Sequence, residues 1–420
     1  VSHDGVLVGL DVGTSKVTAV IAELTENGGV DVLGIGTVRS LGLRRGVVVN
    51  IEATLRSVAQ AVERAENMAG REVQSLVTGI SGAHIEGINS RGVVAVTSKD
   101  REITRIDIER VMDAARAVVL PMDREVLHVI PQEYVVDDQK GIKDPMDMIG
   151  VRLEAEVHIV TGSVTAAQNL LKCVNRAGFK VEEIALDILV GSQIVLSEDE
   201  KDLGTMVIDI GGGTTNMIMY QNGAPFFTGV VPIGGSEVTS DLSIILKNPL
   251  ETMETLKIQS GSCYLPLVQD DEEEIVLPGV GGMPPTAITR AEIAEYIQPR
   301  MEEIFHLVKE KVEREAQFSR WSSLAGGIVL TGGGALLQGS AELAAEVFGS
   351  AVRIGYPMGV GGLTQDLQRP DLSTAIGLVL HRARSLTDEG KGDRGNPLGS
   401  GSKSGGKLRG MRKWLRNFFE

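Results

Sequence analysis

The strongest constraint on this chain is an internal repeat. VGLDVGTSKVTAVIAEL, followed after a turn by VDVLGIGTV, is echoed about 200 residues later by MVIDIGGGTTNMIMYQNGAPFFTGVVPIGG. In each copy a strand ends at an aspartate, a glycine-rich hairpin follows, and two more strands complete a meander. Two copies of one unit predict two similar lobes, with the aspartate turns facing each other across a cleft. A length of 420 residues fits this, because it exceeds what a single hydrophobic core usually organises. Short β-rich runs bounded by glycine at 6–10, 17–22, 30–38, 206–210, 216–220, 226–232 and 327–330 are read as strands. Apolar residues recur at three and four across 51–69, and 301–318 reads as a second, more charged helix. The fold class is therefore α/β.

The two turns have the parts that a nucleotide phosphate needs: backbone N–H groups at close range and a carboxylate to fix the waters of a magnesium ion. Asp11, Gly13, Thr14, Ser15 and Lys16 supply them in the first copy, and Asp209, Gly211, Gly212, Gly213, Thr214 and Thr215 in the second. Lys16 adds a charge for a β-phosphate. One such hairpin is an ordinary Asp/Gly turn, whereas two in register within a repeat point to a shared ligand. A third cluster, Gly332, Gly333 and Gly334, follows the strand 327–330, with a helix expected to begin near Leu336. It is neither a Walker loop nor a dinucleotide fingerprint, and it suits a flat surface under an adenine and ribose. Asp371 opens the last helix of the core and by itself reads as a cap.

Charge is distributed unevenly. Taken whole, 41 Lys/Arg against 56 Asp/Glu give −15, which argues against nucleic acid as a partner. Residues 391–420 nevertheless hold eight Lys/Arg and two acids, a local +6 that leaves −21 for the rest. Within this region 390–410 contains eight glycines in 21 residues and reads as a flexible linker. From 408 onward, Leu408, Met411, Trp414, Leu415, Phe418 and Phe419 fall on one helical arc, and Arg409, Arg412, Lys413 and Arg416 on another. So short a helix is marginal in water. Aromatic residues flanked by cations suit an anionic lipid surface. Two cysteines, Cys173 and Cys263, are too few for a disulfide framework and predict a reducing compartment. The chain shows no run of about eighteen apolar residues and no signal-peptide pattern, so neither a membrane span nor export is expected.

Two such turns, an adenosine turn and connecting helices at 185–196 and 371–380, in this order, resemble the actin, Hsp70 and sugar-kinase superfamily. The resemblance implies an actin-like ATPase fold with ATP and magnesium in the cleft. Asp11 and Asp209 would position the metal through its waters, and Asp187 is the catalytic candidate for orienting the attacking water, with a helix-end role as its alternative. Glu254 and Lys257 have the spacing of a pair that meets ribose and adenine, or of an ordinary exposed helix pair. Slow ATP turnover is left open.

Between 81 and 162, GISGAHIEGINSRGVVAV and LHVIPQEYVVDDQKGIKDPMDMIGVRLEAEVHIVTG are similar to the small α+β lobe inserted in the FtsA family of bacterial division proteins. Asp147 stands where that pattern has glycine. His84, His128 and His158 in this lobe lack ligand spacing and are read as core or surface residues. A Hsp70 would need a peptide-binding domain after 385, a sugar kinase would need a substrate base that is not evident, and an MreB-like protein would lack both the inserted lobe and the tail. An actin-like ATPase of a pilus or secretion assembly stays open as an alternative.

The FtsA resemblance implies lobe 1A at 1–83, 162–202 and 364–385, lobe 1C at 84–161, lobe 2A at 203–239 and 322–363, and lobe 2B at 240–321. The linker is then 386–407 and the membrane-targeting helix 408–420. It further implies a peripheral protein on the cytoplasmic face of the membrane at midcell. Such a protein polymerises, acts in septum formation, and binds the C-terminal peptide of the tubulin-like FtsZ together with other division proteins. Arg290 and Arg300, on a contact helix at 289–309, are the candidate partners for that peptide. Met411, Arg412, Lys413, Trp414, Leu415, Arg416, Phe418 and Phe419 are the candidate lipid contacts.

Overall fold

A computed structural model describes residues 5–393 apart from 26–27, 270–273, 280, 283 and 364–366. The chain opens on an antiparallel meander of β1 (Val6–Val12), β2 (Lys16–Leu24) and β3 (Val30–Arg39). A short ladder, β4 (Leu43–Arg44) with β5 (Val47–Val48), leads into α1 (Ile51–Ala69). The Asn50 side chain accepts from the Ala53 N–H to start α1, and Gly70 ends it in the left-handed region at φ 63°. The buried stripe of α1, with Val58, Ala61, Val62 and Ala65, lies on the meander. β6 (Ser75–Ile80) then pairs parallel to β1.

Here the chain leaves the sheet to build the inserted lobe: β7 (Glu86–Ala95), α2 (Arg105–Arg116), β8 (Arg124–Val136), β9 (Gln139–Ile142) and β10 (Arg152–Ser163). Its four strands run in the order β7-β10-β8-β9. Ile103, Val111, Ala115, Leu153, Val157 and Ile159 form its separate core. Asp147 adopts φ +62°, the conformation for which glycine is the usual choice. The three histidines of this region all sit in hydrogen-bonded joints. His84 Nδ1 accepts from the Ser163 N–H at 3.2 Å, and His128 Nε2 accepts from the Leu186 N–H at 2.9 Å. His158 joins Asn89 Oδ1 at 2.7 Å to Thr228 Oγ1 at 3.0 Å.

α3 (Val164–Arg176) and β11 (Lys180–Leu186) return the chain to the first sheet, next to β6. The first connecting helix, α4 (Asp187–Val195), is shorter than the 185–196 expected, because Ala185 and Leu186 belong to β11. α5 (Glu198–Leu203) separates it from the second meander, β12 (Thr205–Ile210), β13 (Thr215–Gln221) and β14 (Ala224–Val231). α6 (Gly235–Leu246), α7 (Leu250–Ser260), the hairpin of β15 (Glu274–Leu277) and β16 (Thr286–Thr289), and α8 (Arg290–Glu315) follow.

α8 begins eleven residues before the 301–318 expected from periodicity, and Phe318 lies beyond it. Pro299 inside the helix reads as a break, but the Thr289–Glu292 capping box sets the real start. β17 (Ile328–Thr331) lies parallel to β12. The helix expected near Leu336 is instead a 3-10 turn at Gly333–Leu336, followed by α9 (Ser340–Phe348). β18 (Val352–Ile354) completes the second sheet, and β19 (Gly361–Gly362) adds to the edge of the first beside β3. A 3-10 turn at Pro370–Leu372 precedes α10 (Ser373–Asp393), which packs on β1 and α4.

The repeat is visible in the strand orders. β6-β1-β2-β3 in one sheet corresponds to β17-β12-β13-β14 in the other, with the same parallel and antiparallel pairings. The first sheet lies in one large core that the second sheet also enters through Val207, Ile218 and Val329, while Met206, Ile208 and Met217 of the second sheet build another; the turn after β1 faces the turn after β12.

Candidate functional site

Between the lobes lies a cavity of about 490 Å³, within the range of small-molecule sites. The two hairpins at its base are built alike: the Gly13 N–H donates to Lys16 O at 3.0 Å, and the Gly211 N–H donates to Thr214 O at 2.9 Å. They also touch. A Cβ on Gly212 would collide with the Ser15 side chain, and one on Gly213 with Thr14. Gly212 and Gly213 are therefore required by the close approach of the two turns, where the Ser15 and Thr14 side chains fill the space a Cβ would take.

Asp11, Gly13, Thr14, Ser15, Lys16, Asp187, Asp209, Gly211, Gly212, Thr214, Glu254, Lys257, Gly332, Gly333 and Gly334 all line the cavity. Thr215 does not: it is buried and donates its hydroxyl to Ile233 O at 2.8 Å. Gly213 lies just behind the wall against Thr14 and Arg45. Thr14 Oγ1 accepts from the Gly46 N–H at 3.0 Å, which ties the first turn to the β4–β5 loop.

Three carboxylates converge on this space. Burial, opposed by Lys16 and reinforced by Asp371, pushes Asp11 up to about 6. Burial and the neighbouring Asp11 charge push Asp209 up to about 7. Asp187 is raised well above the ordinary value by burial, then by Asp11 and Asp209, and one of its buried carboxylate oxygens has no hydrogen-bond partner. Buried anionic groups this short of counter-charge suit a divalent cation. Among the described residues no three His, Cys, Asp or Glu side chains are set to grip an ion directly. Such carboxylates can meet a hydrated cation through its waters.

Lys16 has a partner that local sequence does not announce. Its Nζ lies 2.5 Å from Asp371 Oδ2 and 2.6 Å from Asp371 O. Asp371 precedes α10 rather than lying in it, and it faces the cavity together with Arg369. Ser81 and Asn216 also line the wall and were not expected there. Glu254 and Lys257 pair at 2.7 Å, and Lys257 also reaches Gly235 O and Thr239 Oγ1, fastening α7 to α6 at the cavity rim.

The two arginines grouped as peptide partners do not share a surface. Arg290 starts α8 facing the cavity and donates to Gln338 Oε1 at 3.1 Å. Arg300 lies ten residues further along α8, where it pairs with Asp241 at 2.5 Å and with Glu303. It borders a shallow hollow with Ile244, Ile245, Tyr296 and Pro299. Residues 408–420, including every candidate lipid contact, lie outside the described residues.

Like-folded lobes around such a cleft define the actin-like ATPase fold, and solved structures agree. A PilM-PilN type IV pilus biogenesis complex matches with TM-score 0.61 at 17% identity, over 90% of this chain and 98% of that one. MreB5 of Spiroplasma citri bound to AMPPNP matches with TM-score 0.56 at 14% identity, over 93% and 99%. At these identities the likeness is one of fold.

Sequence comparison is more specific. Residues 82–161 match the family described as the SHS2 domain inserted in FTSA, and 206–377 match that described as Cell division protein FtsA. The Cell division protein FtsA of Borreliella burgdorferi is 46% identical over 376 residues, 90% of each chain. That of Pseudomonas aeruginosa is 42% identical over 414 residues, and that of Escherichia coli (strain K12) 38% over 418, each covering 98% of both chains. The chain belongs to the FtsA family of cell division proteins.

Proposed function

We propose that this chain binds Mg-ATP, polymerises, binds the FtsZ C-terminal peptide and anchors the division ring to the cytoplasmic face of the cell membrane at midcell, where it helps recruit later division proteins. The observation that carries the reading is the pair of matched glycine hairpins meeting at one cavity with Asp11, Asp187 and Asp209 around it. In this reading the N–H groups of the hairpins hold the β- and γ-phosphates, and the Gly332–Gly334 floor and the Glu254–Lys257 pair hold adenosine. Magnesium, when bound, supplies positive charge to the phosphate oxygens. Asp11 and Asp209 orient its waters, and Asp187, at the first turn of α4, orients the attacking water. In this reading nucleotide state acts chiefly on the angle between lobes.

In this reading Arg300 is the first of the two candidate arginines to meet the FtsZ peptide. It stands beside exposed Ile244 and Ile245, so a peptide with an acidic and an apolar residue could exchange for Asp241 and Glu303. The basic, aromatic tail after the glycine linker binds lipid weakly alone and strongly when filaments present many copies. No helix among the described residues is long and apolar enough to cross a membrane. The test is co-sedimentation of the full chain with liposomes containing anionic lipid. Replacing Trp414 and Phe418 with Glu is expected to abolish pelleting, and undiminished pelleting refutes the anchoring role.

A further inference from the structure

Lys16 and Asp371 are 355 positions apart in sequence and joined at the cavity wall. Asp371 is the more enclosed partner, its side chain 8% exposed against 26% for Lys16. A second cation shares the same carboxylate: Arg369 Nε lies 3.0 Å from Oδ1 and Nη2 lies 2.8 Å from Oδ2. Burial raises the Asp371 carboxyl, but Lys16 and Arg369 more than reverse that and hold it below its ordinary value. The segment carrying Asp371 is itself pinned, since Pro370 O accepts from the Gly332 N–H at 3.2 Å and from Thr331 Oγ1 at 3.1 Å. Of the two ion-paired partners, Lys16 has the long flexible stem, so it is the one that can turn to another anion.

From this geometry we infer that Asp371 is a built-in competitor for the polyphosphate end of the nucleotide: it occupies Lys16 and Arg369 until phosphate oxygens displace it. This rests on the nucleotide reading of the cleft and adds a specificity element to it. A phosphate at the first hairpin meets an ammonium that is already neutralised, and must outcompete a carboxylate held in place by the fold. A chain of two or three phosphates carries enough charge to do so, whereas AMP has no β-phosphate for Lys16. Asp371 thereby narrows the gap between ATP or ADP and AMP, because it weakens binding only where a β-phosphate reaches for Lys16.

The competitor role makes a prediction opposite to that of a supporting role. Asp371→Asn keeps the shape, removes the competing charge and frees both cations. Affinity for ATP and ADP should then rise by roughly three- to tenfold, the size expected of a partly exposed ion pair, while AMP, which has no β-phosphate for Lys16, changes little and the ATP/AMP ratio widens. If Asp371 merely positions Lys16 or supports α10, affinity for ATP and ADP falls instead.

The measurement is displacement of a fluorescent ATP analogue from the full-length protein by ATP, ADP and AMP, with thermal melting to show that each variant is folded. Asp371→Glu, which retains the charge, should restore wild-type affinity, and adding Lys16→Met to Asp371→Asn should remove most of the gain. Unchanged or weaker ATP binding by a folded Asp371→Asn protein overturns the inference. Failure of the wild-type protein to bind any of the three nucleotides would overturn the nucleotide reading instead.

Discussion

Asp209 shows how one residue can be read early and still carry a consequence that only its surroundings reveal. The hairpin sequence marks it, because a strand that ends at an aspartate before three glycines is a local pattern. Its elevated proton affinity comes from burial and from Asp11, which the fold brings from the other lobe. Removing it should therefore strike the magnesium-dependent part of ATP binding. Asp209→Ala is expected to lower ATP affinity in magnesium by about tenfold or more, equivalent to about 1.4 kcal/mol, with a smaller change when the metal is chelated. Titrating ATP with and without magnesium checks this, and wild-type magnesium dependence in the variant refutes the role of Asp209. Asp371 and Arg369 were not legible in the same way. Their meaning depends on a contact with Lys16 across nearly the whole chain, and nothing in the local sequence PDLSTAIG distinguishes it from an ordinary helix start.

At the scale of elements, the helix 51–69 was readable to its ends because Asn50, a clean apolar stripe and Gly70 all agree. α8 was less so, since Pro299 imitates a terminus and masks the capping box at Thr289. What periodicity does not report is how closely elements approach. α1 crosses β3 over Gly34 and Gly36, and a Cβ on Gly36 would run into the backbone of Ala61 and Ala65. Neither backbone can yield without moving the helix. Gly36→Val is therefore expected to cost about 1–3 kcal/mol of stability through overpacking, although valine favours strands in general. Urea denaturation measures it, and a stability equal to wild type would show that α1 is free to shift on the sheet.

For the whole molecule, the repeat made the two lobes legible, but not how the inserted lobe joins them. Side chains of that lobe close the edge of the second sheet: Asn89 Nδ2 donates to Phe226 O and Gln132 Nε2 to Pro225 O, each at 3.0 Å. His158 completes this joint, and His128 makes the corresponding one to β11 in the first sheet. Burial lowers both histidines to about 4; His381 adds to that effect at His128, where Glu183 opposes it.

The sign follows from proton binding. In the unfolded chain these groups take up protons near pH 6.5, whereas in the folded protein they do so only near 4. Their contribution to stability is thus present above 6.5 and is lost as pH falls from 6.5 toward 4, at about 1.4 kcal/mol per pH unit for each histidine within that window. Asp11 and Asp209, raised in the folded state, act in the opposite direction as pH falls through 7 and 6, and saturating magnesium should suppress their contribution. His158→Gln can keep a hydrogen bond to Thr228 but cannot titrate. In magnesium, urea denaturation between pH 7.5 and 4.5 should show the variant losing stability less steeply than wild type by about one proton's worth of slope. Equal slopes would mean that His158 is not held neutral at the joint.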